Sequence, residues 1–220
     1  MSETIRAEQK LLRGLDAEAL VQVTQHLRSA NYTRGQTILM EGDTPAALYF
    51  VESGLVRLVQ LSPEGRVFVV GYAGPGECVN LAAALERYPL PVTAEAVADA
   101  RLWILPLEHW QALLQAHPEL YRAVTLQLAS ELRSMADLVR ELALHPVGAR
   151  LARFLLEYAD GGASRDQHWT QEAIAASIGS VRDVVGRSLR GLMEEGILRK
   201  ERGQLMIVKR AELERIARGE

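Results

Sequence analysis

The sequence predicts an α+β fold in three parts: an antiparallel β-roll of the jelly-roll kind, one long helix, and a C-terminal winged helix-turn-helix. Three observations carry this. Between Asn31 and Leu105, short runs rich in β-branched and aromatic residues are punctuated by Gly35, Gly42, Gly54, Gly65, Gly74 and Gly76. Glycines at roughly ten-residue intervals set the rhythm of a small antiparallel roll. From Pro118 to Leu144 apolar residues recur every three or four positions, and beyond Thr170 two short helical runs meet at Gly179 and lead into two short strands.

The elements follow in chain order. In "EQKLLRGLDAEALVQVTQHLR", Leu12, Leu15, Leu20, Val23 and Leu27 are spaced for one or two short helices, and Asp16 stands where an N-cap belongs. The runs "TILMEG", "ALYFVESG", "LVRLVQLS", "RVFVVGYAG" and "RLWILP" read as strands, with "SPEG" at 62–65 as a hairpin turn. "LPLEHWQALLQAHPEL" returns to helical spacing.

The long helix is expected from Pro118, since proline suits a helix start, to Leu144, with Pro146 ending it. Leu120, Val124, Leu128, Leu132, Met135, Val139 and Leu142 form a single stripe. At about 40 Å the helix is longer than a small roll needs to cover itself. A helix packed wholly against its own domain is the plainer alternative. The length and the stripe favour a homodimer seam flanked by Arg133 and Arg140. The expected domains are a roll with N-terminal helices over 1–117, the long helix over 118–145, and a winged helix-turn-helix over 146–220.

Composition narrows the class. The 220 residues are 48% hydrophobic and 24% charged, with a net charge of −3, as in a folded chain rather than a disordered one. A single cysteine, Cys78, excludes an internal disulfide framework and an Fe–S cluster held by four cysteines of one chain, and it fits a reducing compartment. "MSETIRAEQK" has no apolar stretch behind a basic start, and no uncharged run of about 18 apolar residues occurs. We expect a cytoplasmic protein without a membrane partner. Charge is uneven: Thr170 to Arg210 holds eight Arg/Lys against five Asp/Glu, and the remainder holds 17 against 23. A locally basic segment on an acidic chain suits a phosphate-facing patch.

With Gln171 as the first position of a twenty-residue window, Ala175 is fifth, Gly179 ninth and Val185 fifteenth. A helix-turn-helix needs a small residue where its helices approach, a glycine able to turn left-handed, and an apolar residue from the second helix in the shared core. Ile174, Ile178, Val184, Leu189 and Leu192 are available for burial, with Thr170 and Ser180 as N-caps. A hairpin turning at Arg202-Gly203 follows, and "AELERIARG" closes the chain as a helix. On the second helix, about 181–193, Val185, Leu189 and Leu192 share one face, and Asp183, Arg187 and Arg190 the other, with Arg182 beside them. Arginine can take the O6/N7 edge of guanine, and a carboxylate can accept from cytosine N4. Gly186 would let the backbone come close to DNA. The bland reading of this face is an exposed i,i+4 Asp183–Arg187 pair worth a few tenths of a kcal/mol.

The stretch "SIGSVRDVVGRSLRGLMEEGILRKERGQLMIV" is similar to the DNA-binding domain of the Crp/Fnr family of bacterial transcription regulators. The likeness extends over nearly the whole chain, including the "GPGE" turn at 74–77 and the long helix. It implies a cyclic-nucleotide-binding-type roll that senses a signal, a long dimerisation helix, and a winged helix that binds a near-palindromic operator. The family's Arg-Glu-x3-Arg motif corresponds to Arg182-Asp183-x3-Arg187, with an aspartate shorter than the family's glutamate. Val181 stands where Crp-like members often have serine. The resemblance assigns base reading to Arg182, Asp183 and Arg187, and phosphate positioning to Thr170, Gln171, Ser180, Arg190, Lys200 and Arg202. RNA polymerase would be a further partner if the protein activates.

The same resemblance argues against cAMP. Asn80 and Leu81 occupy the Gly-Glu place of the cAMP-binding version, Pro91 and Val92 the Arg-Ser place, and Met135 and Ala136 the adenine-contacting Thr-Ser place. A cyclic phosphate with no cation or hydroxyl beside it would be buried at a large cost. Asn80, Leu81, Thr93, Met135 and Ala136 mark where an effector would sit. "YPLPVTAEA" looks more like the Fnr- and Dnr-type branches, so the effector is unknown, with haem open through Cys78, His26, His109, His117, His145 or His168. The scattered histidines offer no paired metal ligands of the cupin kind, and no enzyme is expected. A ligand-binding module acting on a protein partner is the alternative. It leaves the helix-turn-helix without a role.

Overall fold

The computed structural model describes residues 9–13, 15–159, 170–201 and 204–219. The expected contact Arg202, the turn at Arg202-Gly203, the loop after residue 159 and His168 lie outside these residues. The chain gathers into two units. One holds the residues up to Gln60 together with Val70–Met135, the other Leu61–Val69 together with everything from Ala136 onward.

In the first unit a 3-10 turn, Lys10–Leu12, precedes helix α1 (Ala17–His26). Asp16 caps α1 as expected: its Oδ1 accepts from the Ala19 N–H at 2.8 Å. The strands are β1 (Arg28–Tyr32), β2 (Thr37–Leu39), β3 (Ala47–Ser53), β4 (Val56–Leu61), β5 (Val67–Ala73), β6 (Thr93–Ala96) and β7 (Ala100–Pro106). Helix α2 (Leu81–Glu86) lies between β5 and β6, α3 (Leu107–Ala116) follows β7, and α4 (Leu120–Leu144) belongs to the first unit up to Met135 and to the second from Ala136. One antiparallel sheet has the order β1-β7-β3, with Trp103 between Ser29 and Phe50, and the other has the order β2-β6-β4-β5. At the expected "SPEG" turn, Gly65 has φ +78° and its N–H reaches Ser62 O at 2.8 Å.

Alternation along the strands sorts side chains into two layers. Val51 and Leu102 face Val56, Ala94 and Ala96 of the second sheet. Their neighbours Leu48, Phe50, Trp103 and Leu105 turn the other way, onto Leu20 and Val23 of α1, Trp110 and Leu113 of α3, and Leu120 and Val124 of α4. Each large side chain buried this way contributes roughly 1.5–3 kcal/mol. Two boundaries and two additional elements differ from expectation. β1 begins at Arg28, before Asn31, and α2 and β6 form where no regular element is expected. The long helix starts at Leu120 because Pro118 and His117 form a turn, with their carbonyls accepting from Tyr121 and Leu120.

The second unit contains α5 (Val147–Ala159), α6 (Gln171–Ile178), α7 (Arg182–Glu194), β8 (Leu198–Glu201), β9 (Gln204–Ile207) and α8 (Arg210–Arg218). β8 and β9 pair antiparallel as the expected hairpin, from Leu198 opposite Ile207 to Glu201 opposite Gln204. Leu151 and Leu155 of α5, Ile174 of α6, Val185 and Leu189 of α7, Leu198 of β8 and Leu213 of α8 make a single core. Arg153 of α5 reaches both Glu141 near the end of α4 and, at 2.7 Å, Ala217 O of α8. No described helix is long and apolar enough to cross a membrane.

Candidate nucleic-acid interface

The turn between α6 and α7 fixes the geometry of the site. Thr170 Oγ1 accepts from the Ala173 N–H at 3.1 Å, so the first helix has the expected cap. Gly179 ends it in the left-handed region at φ +61°, and the Ser180 N–H closes back on Ala175 O at 2.9 Å. Arg150 of α5 donates from Nη1 to the carbonyls of Ile178 and Gly179, collecting the C-terminal carbonyls of α6. Sequence reasoning missed Arg150, because nothing local marks an arginine 28 residues upstream of Ile178 as a helix cap. Ser180 is not the N-cap of α7. Its amide belongs to the turn, and Val181, with no side-chain acceptor, stands at the cap.

Helix α7 is divided as expected. Val185, Leu189 and Leu192 are buried, while Arg182, Asp183, Arg187 and Arg190 are exposed. Val184 is only half-buried, since Val185 takes the inward position. Among the described residues, Asp183 and Arg187 form no ion pair with each other. The pair that does form joins residues ten apart: Arg182 Nε lies 2.7 Å from Glu172 Oε1 in the first turn of α6. Gln171 lies over Gly186, its Oε1 3.1 Å from where a Cβ would stand, so Gly186 makes room for a neighbouring side chain as well as for a close backbone. Thr170, Gln171 and Lys200 are exposed and Ser180 half-buried. Around a buried scaffold the exposed residues offer hydrogen-bond donors and cations, which suits a polyanion.

Family models match two stretches, a cyclic nucleotide-binding domain over residues 29–117 and a Crp-like helix-turn-helix domain over 149–216. A cyclic AMP receptor protein of Thermus thermophilus is 31% identical over 210 residues, covering 95% of this chain and 97% of its own. The chain belongs to the Crp/Fnr family of transcription regulators. A CRP-like cAMP-activated global transcriptional regulator of Mycobacterium tuberculosis is 26% identical over 223 residues, 98% of both chains. The solved structure of a Crp/Fnr-family regulator from Eubacterium rectale superposes with a TM-score of 0.83 at 25% identity, covering 94% of this chain and 97% of that one. This Crp/Fnr regulator thus pairs a sensory domain of the cyclic-nucleotide-binding type with a DNA-binding helix-turn-helix.

Three residues expected at the effector site also hold the roll's own backbone or core. Asn80 is buried, its Oδ1 accepting from the Tyr49 N–H at 3.2 Å and its Nδ2 donating to Ala47 O at 2.9 Å. Leu81 is in the core, and buried Thr93 accepts through Oγ1 from the Glu41 N–H at 3.0 Å. Burial makes such backbone bonds obligatory. Met135 and Ala136 are exposed on α4.

The candidate haem ligands also have structural surroundings. Cys78 is a buried free thiol, and desolvation, reinforced by Glu131, pushes its pKa up to about 12. His26 and His109 stack on each other with ring centroids 3.6 Å apart. His145 Nδ1 lies 3.1 Å from Arg153 Nη2, and His117 Nδ1 lies 3.2 Å from Glu119.

The stripe on α4 divides as well. Leu120 and Val124 are buried in the roll's core, which removes them from any seam between copies, and Leu128 packs partly against the same core. Beyond them Leu132 is 71% and Val139 63% exposed, with Met135 and Leu142 less so.

Proposed function

We propose that the protein acts as a homodimer that reads a near-palindromic operator through α7, under the control of an effector other than cAMP. The observation that carries this reading is the split of α7: apolar residues buried in one core, Arg182, Asp183, Arg187 and Arg190 presented outward. Arg182, Asp183 and Arg187 read base edges. Thr170, Gln171, Ser180, Arg190, Lys200 and Arg202 position the phosphates. The two copies join along Leu132, Met135, Val139 and Leu142, whose apolar exposure on one helix needs a cover in water. The work is binding rather than catalysis, in the cytoplasm, with RNA polymerase as a further partner where the regulator activates.

Two of the relatives carry cAMP in their names. Against carrying cAMP over, Leu81 stands in the core where the cAMP-binding version has a glutamate for the ribose hydroxyl. Pro91 and Val92 bring neither cation nor hydroxyl to a cyclic phosphate.

The deciding experiment selects duplexes from a randomised pool with the purified full chain and measures binding across a salt series. Two half-sites about 10 bp apart, centre to centre, and an affinity that falls linearly with salt on logarithmic axes are expected. Absence of any preferred duplex overturns the proposal. Added cAMP should leave the affinity unchanged, and an absorbance spectrum of the fresh protein tests for haem through its Soret band.

A further inference from the structure

The exposed pair between α6 and α7 has a bearing on sequence discrimination. Arg182 is the first residue of α7, the end of a helix where the macrodipole opposes a cation. Glu172, in the first turn of α6, meets its Nε at 2.7 Å. One turn further along the same flank of α7, Gln171 lies against Gly186. The first turn of α6 therefore runs along the flank of α7 that carries Arg182, and Glu172 comes to the guanidinium from a neighbouring element at close range.

Guanidinium chemistry gives this contact a consequence. The group has five N–H donors fixed in one plane. With Nε in ion-pair contact with Glu172, the charge attraction restrains the plane, and the two terminal nitrogens remain as a fork that matches the O6 and N7 acceptors of guanine. We infer that Glu172 is a positioning residue for base recognition: its carboxylate holds the guanidinium of Arg182 edge-on to the groove, so that one guanine-bearing base pair of the operator is distinguished. This rests on the reading of α7 as the groove-reading helix.

An exposed ion pair adds little to folding stability, so the role is read in specificity. A carboxylate close to DNA also weakens binding to every sequence. Removing it has two separable effects: general affinity rises, and discrimination at one base pair falls.

The test compares wild type, Glu172→Ala, Glu172→Gln, Arg182→Ala and Glu172→Ala/Arg182→Ala on the duplex selected from the randomised pool and on its single-base-pair variants. The base pair in question is the one whose preference Arg182→Ala relaxes. Glu172→Ala should lower discrimination there by about five- to tenfold while binding all duplexes more tightly at low salt. Glu172→Gln keeps the reach and places an amide oxygen beside Nε without the charge. It should gain the same general affinity yet hold discrimination within about twofold of wild type. In the Arg182→Ala background, Glu172→Ala should change discrimination no further.

Equal discrimination by the Ala and Gln variants overturns the positioning role, because the carboxylate then acts only as a charge. Higher discrimination in Glu172→Ala overturns it too, since Glu172 would then be holding Arg182 away from the base. So does a further loss in the double variant. A wild type that prefers no duplex overturns the reading of α7 itself. Discrimination that stays at the wild-type level in both Glu172 variants overturns only the role of Glu172.

Discussion

The Cδ2 of Leu142 stands 2.6 Å from the point a Cβ would occupy on Gly179. The glycine is at φ +61° as well, so the turn that aims α7 is restricted by both conformation and space. Arg150 binds the carbonyls on the same turn, leaving little room for it to shift.

Gly179→Ala should therefore destabilise the winged-helix unit. The left-handed backbone alone costs roughly 1–2 kcal/mol for a residue with a Cβ, and the close approach to Leu142 adds to it. Urea unfolding followed by circular dichroism measures the loss. A variant as stable as wild type would mean that the turn relaxes more freely than its contacts imply.

Arg187 and Lys200 should fail in different ways. Arg187→Ala removes a side chain proposed to read a base edge. It should cost about 1–3 kcal/mol on the selected duplex and relax one base position. Lys200→Ala removes a charge proposed to face a phosphate, so it should weaken binding evenly across sequences and lower the salt slope by about 1. Titrations on matched and mismatched duplexes distinguish the two, and an even loss for Arg187→Ala counts against base reading there.

How much of this was legible in the sequence depended on the range of the signal. The strands of the roll and the two helices around Gly179 follow from alternation, helical spacing and turn chemistry, all written within a few residues. β1, with the sequence Arg-Ser-Ala-Asn-Tyr, lacks alternation and takes its conformation from pairing with β7. Glu172–Arg182, Arg150 with the end of α6, and Asn80 with Ala47 and Tyr49 join residues distant in sequence. No periodicity announces such pairs. Resemblance places Asn80, Leu81 and Thr93 at an effector site, while their bonds to the backbone and their burial depend on three-dimensional neighbours that no local pattern shows.

The two ends of the α4 stripe should respond oppositely to a charge. Val139→Asp places a carboxylate on an exposed apolar position. The folded protomer should survive while sedimentation shifts from dimer to single copies. Affinity for a two-half-site duplex should then drop by more than about tenfold, because the halves no longer bind as one linked unit. Val124→Asp buries its charge in the roll's core and should prevent folding instead. A Val139→Asp protein that stays dimeric would place the seam elsewhere.

Glu131 provides a test in which pH separates charge from packing. It sits half-buried on α4, accepting at Oε1 from Gln127 Nε2 at 3.0 Å. Desolvation raises its pKa, the Gln127 hydrogen bond works against the rise, and the charge of Glu77 adds to it. A carboxyl whose pKa is higher folded than unfolded favours the fold while protonated in both states. That contribution is lost as pH rises from the unfolded value, about 4.3, through the folded one, because the native state then bears a charge it solvates poorly. Glu131→Gln should therefore raise the unfolding midpoint at neutral pH, and the gain should vanish below about pH 4. A gain of equal size at every pH would trace to packing of the amide, and a loss at neutral pH would mean that the ionised carboxylate has a partner that stabilises it.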